Sequence, residues 1–264
     1  MCRLSAWPRS VKRVYRERRS RLLDATVWTR RAEPSRRSYR IVPDGCLDLI
    51  WSNGELLVAG PDTGPYLGVS PPGASFTGLR FAPGTGPTML GVPAHALTDH
   101  RVPLSRLWPE SWVRALTERV AAARAPGREL EAIAAERLER VDPPDPVVFA
   151  ITDALDAGQS VADTADRIGF SERQLHRRCR TAFGYGPKTL ARVLRLDRAL
   201  ALARSGRPLA EVGATAGYAD QAHLARDVKA LTGVTLRSLL GYESPGANAA
   251  NRSTPLPSGS RTTA

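Results

Sequence analysis

VADTADRIGFSERQLHRRCRTAFG, residues 161–184, and LAEVGATAGYADQAHLARDVKALTG, residues 209–233, are two copies of one pattern. Val161, Ala165 and Ile168 correspond to Leu209, Gly213 and Ala216 at an offset of 48. Past the turn, Leu175, Arg177, Cys179 and Gly184 correspond to Leu224, Arg226, Val228 and Gly233 at an offset of 49. Each copy reads as a helix, a tight turn at Gly169 or Gly217, and a second helix. Glycine takes positive φ at such a turn without steric cost. Ala165 and Gly213 fall where the two helices of a unit cross, and Phe170 and Tyr218 follow the turns as core plugs. Ser160, Ser171 and Asp220 are suited to cap the helices they precede. A repeated helix-turn-helix whose second helix exposes Arg with Gln or His is the pattern of a chain that reads DNA.

On the first recognition helix, Leu175 and Cys179 face inward, and Arg173, His176, Arg177 and Arg180 lie on the other faces. On the second, Leu224 and Val228 face inward, while Gln221, Ala222, Ala225 and Arg226 face out. Arginine reads guanine and glutamine reads adenine in the major groove. The segment TLARVLRLDRALALARSG, residues 189–206, reads as one helix between the units. Its apolar side is too broad for a lone surface helix, so it packs on both units and fixes their spacing. A separation near roughly 34 Å lets both recognition helices enter successive grooves on one side of a duplex. Lys188, Arg192 and Arg195 are then candidate phosphate contacts.

Charge is unevenly spread along the 264 residues, whose net charge is +12. Residues 1–40 carry +10, residues 41–157 carry −6, and residues 158–242 carry +7. The repeat thus sits in a basic segment suited to neutralising phosphate, beside an acidic one that is not. Cys2, Cys46 and Cys179 are too few and too scattered for a disulfide framework or a CxxC metal site. They fit a reducing cytoplasm. No apolar run approaches the length of a bilayer span, and no secretion signal follows the N-terminal basic residues.

Ahead of the repeat, residues 39–93 read as β structure. YRIV (39–42), CLDLIW (46–51), ELLVA (55–59), YLGV (66–69), FTGLRF (76–81) and MLGV (89–92) are short candidate strands between Gly and Pro turns. Asn53-Gly54 between two apolar runs is a strong hairpin signal. Helical spacing takes over at 110–125 and 128–141, where an amphipathic pair offers a packing or dimer surface. Three prolines within 142–146 cannot continue a helix and mark a boundary. The expected fold is α+β: a β-rich barrel- or sandwich-like regulatory domain at 1–108, a helical connector with a candidate dimerisation role at 109–145, an all-α double helix-turn-helix domain at 146–242, and a disordered tail at 243–264.

Residues 158–242 resemble the DNA-binding region of the AraC/XylS family of bacterial transcription regulators. The resemblance rests on G-F-S-x-x-x-L-x-R (169–177), F-G-x-x-P (183–187), R-x-x-R-L-x-R-A (192–199), A-G-Y-x-D-Q-x-H-L-x-R (216–226) and L-T-G (231–233). Leu190 stands where the family usually carries Tyr, and Cys179 and Val228 where it prefers Phe. The resemblance implies base-facing roles for Arg173, His176 and Arg177 on the first helix and for Gln221, Ala222 and Arg226 on the second. It implies backbone contacts from Lys188, Arg192, His223 and Lys229, which Arg180 joins. Residues 39–51, 59–64, 78–84 and 91–104 resemble the amino-terminal domain of uncharacterised regulators of this family in high-GC bacteria, implying a sensing or dimerising role.

The expected partner is therefore double-stranded operator DNA, with RNA polymerase, a second copy of the chain and a small-molecule effector as further candidates. No cofactor and no membrane partner are expected, and the location is the cytoplasm, on the nucleoid. The competing reading is a small-molecule or metal-dependent barrel enzyme fused to a DNA tether. It would need His95 and His100, which are five residues apart and lack an evident third ligand. Asp44, Asp48 and Asp62 sit in ordinary turn chemistry or in strand alternation. No nucleophile elbow, P-loop or dinucleotide motif is present, and the clustered cysteines of DNA-methyl-repair proteins are missing.

Overall fold

The computed structural model describes residues 15–22, 24–32 and 38–241. The expected tail at 243–264 and the first fourteen residues lie outside them. Among the described residues, strands β1 (Tyr15–Arg19), β2 (Ala25–Arg31), β4 (Leu47–Ser52), β5 (Glu55–Ala59), β7 (Ser75–Phe81) and β8 (Arg101–Pro103) form one antiparallel sheet. Their order is β1-β2-β7-β4-β5-β8. A ribbon of β3 (Ser38–Ile41) and β6 (Tyr66–Val69) forms a second, two-stranded sheet.

Strand alternation sends successive side chains to opposite faces, and the register sorts them across the large sheet. Val27, Leu79, Leu49, Val58 and Val102 stand opposite one another in a single apolar row. Helices α2 (Glu110–Ala122) and α3 (Pro126–Leu138) cover that row with Val113, Leu116, Val120, Leu130 and Ile133. The amphipathic stripe of 110–141, read as a packing or dimer surface, packs in the core beneath the sheet.

The next row on the opposite face is polar: Thr26, Arg80, Asp48, Ala59 and Arg101. Aromatic residues of the ribbon close over this face. Arg30 lies 3.9 Å over the Tyr39 ring and 4.3 Å over Phe76, and Arg101 lies 4.0 Å over Tyr66.

One expected strand is a helix instead. Residues 86–90 form a helix, α1 (Gly86–Leu90), where 89–92 read as a strand. Pro87 sits in its first turn, Gly91 ends it at φ 78, and Met89 and Leu90 are both buried. Two adjacent apolar residues carry no period, so a short helix and a buried strand look alike in sequence. Conversely, β1 and β2 lie inside the basic segment 1–40, whose arginines mask the pattern. Several of those arginines have structural work: Arg18 pairs in bidentate fashion with Glu131 at 3.0 and 2.6 Å, tying β1 to α3.

The predicted hairpin is present. Ser52 faces Glu55 across Asn53-Gly54, at φ 51 and 82, the backbone that a two-residue loop with matching twist requires. After the proline-rich boundary the rest of the described chain is helical: α4 (Val147–Asp156), α5 (Val161–Ile168), α6 (Glu172–Phe183), α7 (Pro187–Arg204), α8 (Leu209–Ala216), α9 (Gln221–Thr232) and α10 (Leu236–Leu239).

Candidate nucleic-acid interface

The first unit is α5, the turn at Gly169 and α6. Ser160 caps α5 by accepting from the Asp163 N–H at 3.1 Å. Gly169 takes φ 76, and Ser171 and Gln174 form a reciprocal capping box on α6. Leu175 and Cys179 are buried, and burial pushes the Cys179 thiol up to about 12, so it is an inert core group. Val148, Ile151 and Leu155 of α4 share that core. A folded DNA-binding fragment must therefore begin near residue 146 and not at 158. Phe170 is only half-buried, whereas its counterpart Tyr218 is buried.

The second unit is α8, the turn at Gly217 (φ 87) and α9, capped by Asp220. Leu224 and Val228 are buried as expected. The long helix α7 contributes Leu190, Val193 and Leu194 to the first core and Leu196, Ala199, Leu200 and Ala203 to the second. One helix thus belongs to both units and is the element they share.

Arg173, His176, Arg177 and Arg180 on α6 are exposed, as are Gln221, Ala222, Arg226 and Lys229 on α9 and Lys188 at the start of α7. Among the described residues, the guanidinium groups of Arg173, Arg177 and Arg226 have no ion-pair partner. His223 is partly engaged: its ring packs edge-on against Tyr218, and its Nδ1 lies 3.4 Å from the Ala219 N–H. Arg192 differs from its expected role. It donates from Nε to Asp227 at 2.8 Å, with Nη2 at 2.6 Å, and so clamps α7 to α9. Asp227 is buried and also accepts from the Tyr218 hydroxyl at 3.3 Å. Burial beside that carboxylate raises the Tyr218 pKa.

Sequence reasoning missed this network because Asp227 sits at a position that helical spacing marks only as inward. It also missed Arg178, which pairs with Asp145 of the boundary at 3.0 Å, and Arg198, which ties α7 to Asp156 at 2.8 Å and to the Ala216 carbonyl at 3.2 Å.

The N-terminal domain meets the module at several points. Tyr185, just past α6, is buried with its hydroxyl against Gly45, where an added Cβ would lie 3.1 Å away. Burial, with Asp44 nearby, pushes its pKa up. Behind Gly45 lies a cluster on the polar sheet face. Asp48 accepts from Trp28 Nε1 at 2.5 Å and from Arg80 at 3.2 Å, and Arg80 also reaches Asp44 at 3.2 Å. Desolvation raises the Asp48 pKa in spite of Arg80. Trp28 is thus hydrogen-bonded inside this cluster, and Trp51 packs on the apolar core. His95 and His100 are both exposed, and among the described residues no three His, Cys, Asp or Glu side chains group as metal ligands. No described helix is long and apolar enough to cross a membrane.

Two helix-turn-helix units on one shared helix, with basic outward faces, define a DNA-binding transcription regulator. Residues 156–241 match a family model described as a helix-turn-helix domain, and residues 23–103 match a domain of unknown function, DUF6597. The chain carries an AraC-type DNA-binding domain behind a DUF6597 domain. No curated protein matches it.

Several solved structures are similar. The C-terminal domain of AraT, a response regulator from Geobacillus stearothermophilus, is 18% identical over 41% of this chain and 94% of that one, with a TM-score of 0.35. An apo ToxT from Vibrio cholerae is 10% identical over 84% of this chain and 99% of that one, at 0.48. Unsaturated fatty acid-bound ToxT from the same organism is 10% identical over 84% of this chain and 97% of that one, at 0.46.

Proposed function

We propose that this regulator reads a two-part operator, with α6 and α9 entering successive major grooves on one side of the duplex. Arg173, His176 and Arg177 face bases in one half-site, and Gln221, Ala222 and Arg226 in the other. Arg180, Lys188, His223 and Lys229 hold the phosphates, which fixes register without reading sequence. Arg192 serves the phosphates only to the extent that Asp227 releases it.

The observation that carries this reading is the exposure of Arg177 and Arg226 at corresponding positions of the two recognition helices, without ion-pair partners among the described residues. The N-terminal domain regulates and does not catalyse. It responds to a small-molecule effector or to a second copy of the chain, and the bound protein acts on RNA polymerase at promoters in the cytoplasm, on the nucleoid.

Operator selection from a random library followed by Arg177→Ala and Arg226→Ala tests the reading. Each substitution should cost about 1–3 kcal/mol on the selected site and relax preference at one base pair. An equal loss on selected and random DNA would assign both residues to phosphate alone.

A further inference from the structure

The loop at residues 60–65, Gly-Pro-Asp-Thr-Gly-Pro between β5 and β6, touches both DNA-reading units at corresponding points. At the end of α6, a Cβ on Gly184 would lie 2.6 Å from Pro61 Cγ and 2.5 Å from Thr98 Oγ1. At the end of α9, a Cβ on Gly233 would lie 3.3 Å from Pro65 Cγ and 2.9 Å from Arg40 Nη1. Gly184 and Gly233 are equivalent residues of the repeat, and both hold positive φ, at 86 and 74. Each helix end also receives a donor from the N-terminal domain. The Thr98 hydroxyl donates to the Gly184 carbonyl at 3.0 Å, and Arg40 Nη1 donates to the Thr232 carbonyl at 2.7 Å. The last carbonyls of a helix lack intrahelical donors and carry partial negative charge, so a hydroxyl and a guanidinium are favourable there.

The loop is itself pinned. Arg101 donates to both Asp62 oxygens, at 2.5 and 2.6 Å. Thr63 donates from its N–H and its hydroxyl to Asp99, each at 2.7 Å. The Asp99 N–H returns to the Pro61 carbonyl at 3.0 Å, and the Gly60 N–H donates to the His100 carbonyl at 2.9 Å. Two prolines remove further backbone freedom. Meanwhile Arg177 and Arg226 stay exposed. A domain that grips the far ends of both recognition helices and leaves their reading faces open orients them; it does not cover them.

We propose that the 60–65 loop is a spacing gauge. By bracing the C-terminal ends of α6 and α9 it fixes their separation and tilt, and so the number of base pairs the protein accepts between its half-sites. The proposal rests on the reading of α6 and α9 as the DNA-contacting helices. One added base pair moves a half-site by roughly 3.4 Å and turns it by about a tenth of a helical repeat. A braced pair cannot follow that rotation, whereas a pair joined only through α7 can flex toward it.

The test compares the full chain with two loosened forms: Thr98→Val, which removes one hydroxyl, and Arg40→Ala with Pro65→Gly. Thermal melts establish that both are folded. The first readout needs no DNA: spin labels at Thr181→Cys and Ala230→Cys, corresponding exposed positions on the two helices, in a Cys2→Ser background. The parent should give one narrow distance, and the loosened forms a broadened or shifted one. The second readout is selection from a library with variable spacers. The parent should lose about tenfold or more in affinity for a spacer changed by one base pair, and the loosened forms about threefold or less, with half-site preferences unchanged.

Unchanged distances, an unchanged spacer preference, or a uniform affinity change at every spacer would each overturn the gauge. If the parent selects no two-part site at all, the DNA reading of α6 and α9 fails instead, and the label distances alone decide whether the loop braces the units.

Discussion

Arg192 looks like a phosphate contact in sequence and a structural clamp in the structure, and one pair of substitutions separates the two roles. Its guanidinium makes two charge-assisted contacts with Asp227, at 2.8 and 2.6 Å, and the carboxylate side chain is 7% exposed against 43% for the arginine. Removing one partner of a buried pair costs about 3–5 kcal/mol when the other is left unpaired and dry. Here water reaches the arginine side, and Tyr218 still donates to Asp227 at 3.3 Å, so about 2–3 kcal/mol is expected for Arg192→Ala. Asp227→Asn should cost less, about 1–2 kcal/mol, because the side chain left behind is neutral and the freed arginine returns to water.

The assay is denaturant unfolding of each variant, paired with DNA affinity as a function of salt. If Arg192 is purely a clamp, Arg192→Ala lowers stability and leaves the salt dependence unchanged. If it also serves phosphate, the slope of log affinity against log salt falls by about one. Asp227→Asn then becomes informative in the opposite sense, since releasing the arginine should strengthen binding to random DNA. The clamp argument is refuted if Arg192→Ala leaves stability within about 0.5 kcal/mol of the parent.

Two further outcomes are expected. Gly213→Ala should stabilise the second unit by about 0.5–1 kcal/mol, since it removes a mid-helix glycine and the new Cβ meets Leu224 at an ordinary 3.7 Å; a lower unfolding midpoint would show that the helix crossing is tighter than it looks. Burial pulls the Glu131 pKa up, but hydrogen bonds from Arg18, Ser20 and the Arg21 N–H outweigh it and hold the group down at about 2. A folded pKa below the unfolded value of about 4.3 means stabilisation that is complete above that pH and fades as the pH falls toward 2. With Arg18 half-exposed, Glu131→Gln should cost about 1–2 kcal/mol at pH 7 and less at pH 3, as read from urea midpoints; a gap that stays constant would sink the ion-pair account.

The C-terminal half was legible because its rules are local. A glycine at each turn, Ser or Asp before each recognition helix and an apolar residue every third or fourth position mark helix-turn-helix units within a window of about twenty-five residues. The N-terminal half was legible only where it is also local, as at the Asn53-Gly54 hairpin. Its sheet order joins β2 to β7 and β7 to β4 across long stretches of chain, and nothing in the alternation of a strand names its neighbour. Counted as charge, the arginines of residues 15–31 show no strand pattern. In the fold Arg18 caps a buried glutamate and Arg30 stacks on Tyr39 and Phe76.

The same limit applied to the interface, in a more instructive way. Exposed positions such as Arg177 and Arg226 follow from helical period, because facing outward is a property of one helix. Arg192 also faces outward on α7, yet it has a partner, since Asp227 comes from a helix two elements later in the chain. Whether an outward arginine is free for DNA thus depends on a long-range pairing, and period alone overcounts the residues available to phosphate. Thr98 and Arg40 show the converse. Neither stood out in sequence, because a lone threonine after a short turn and one arginine among thirteen basic residues in the first forty carry no pattern. Their meaning comes from Gly184 and Gly233, which repeat at the fixed offset and present a bare helix end at each unit. The repeat therefore predicts two equivalent docking points on the DNA module, and only the folded chain shows that a single short loop reaches both.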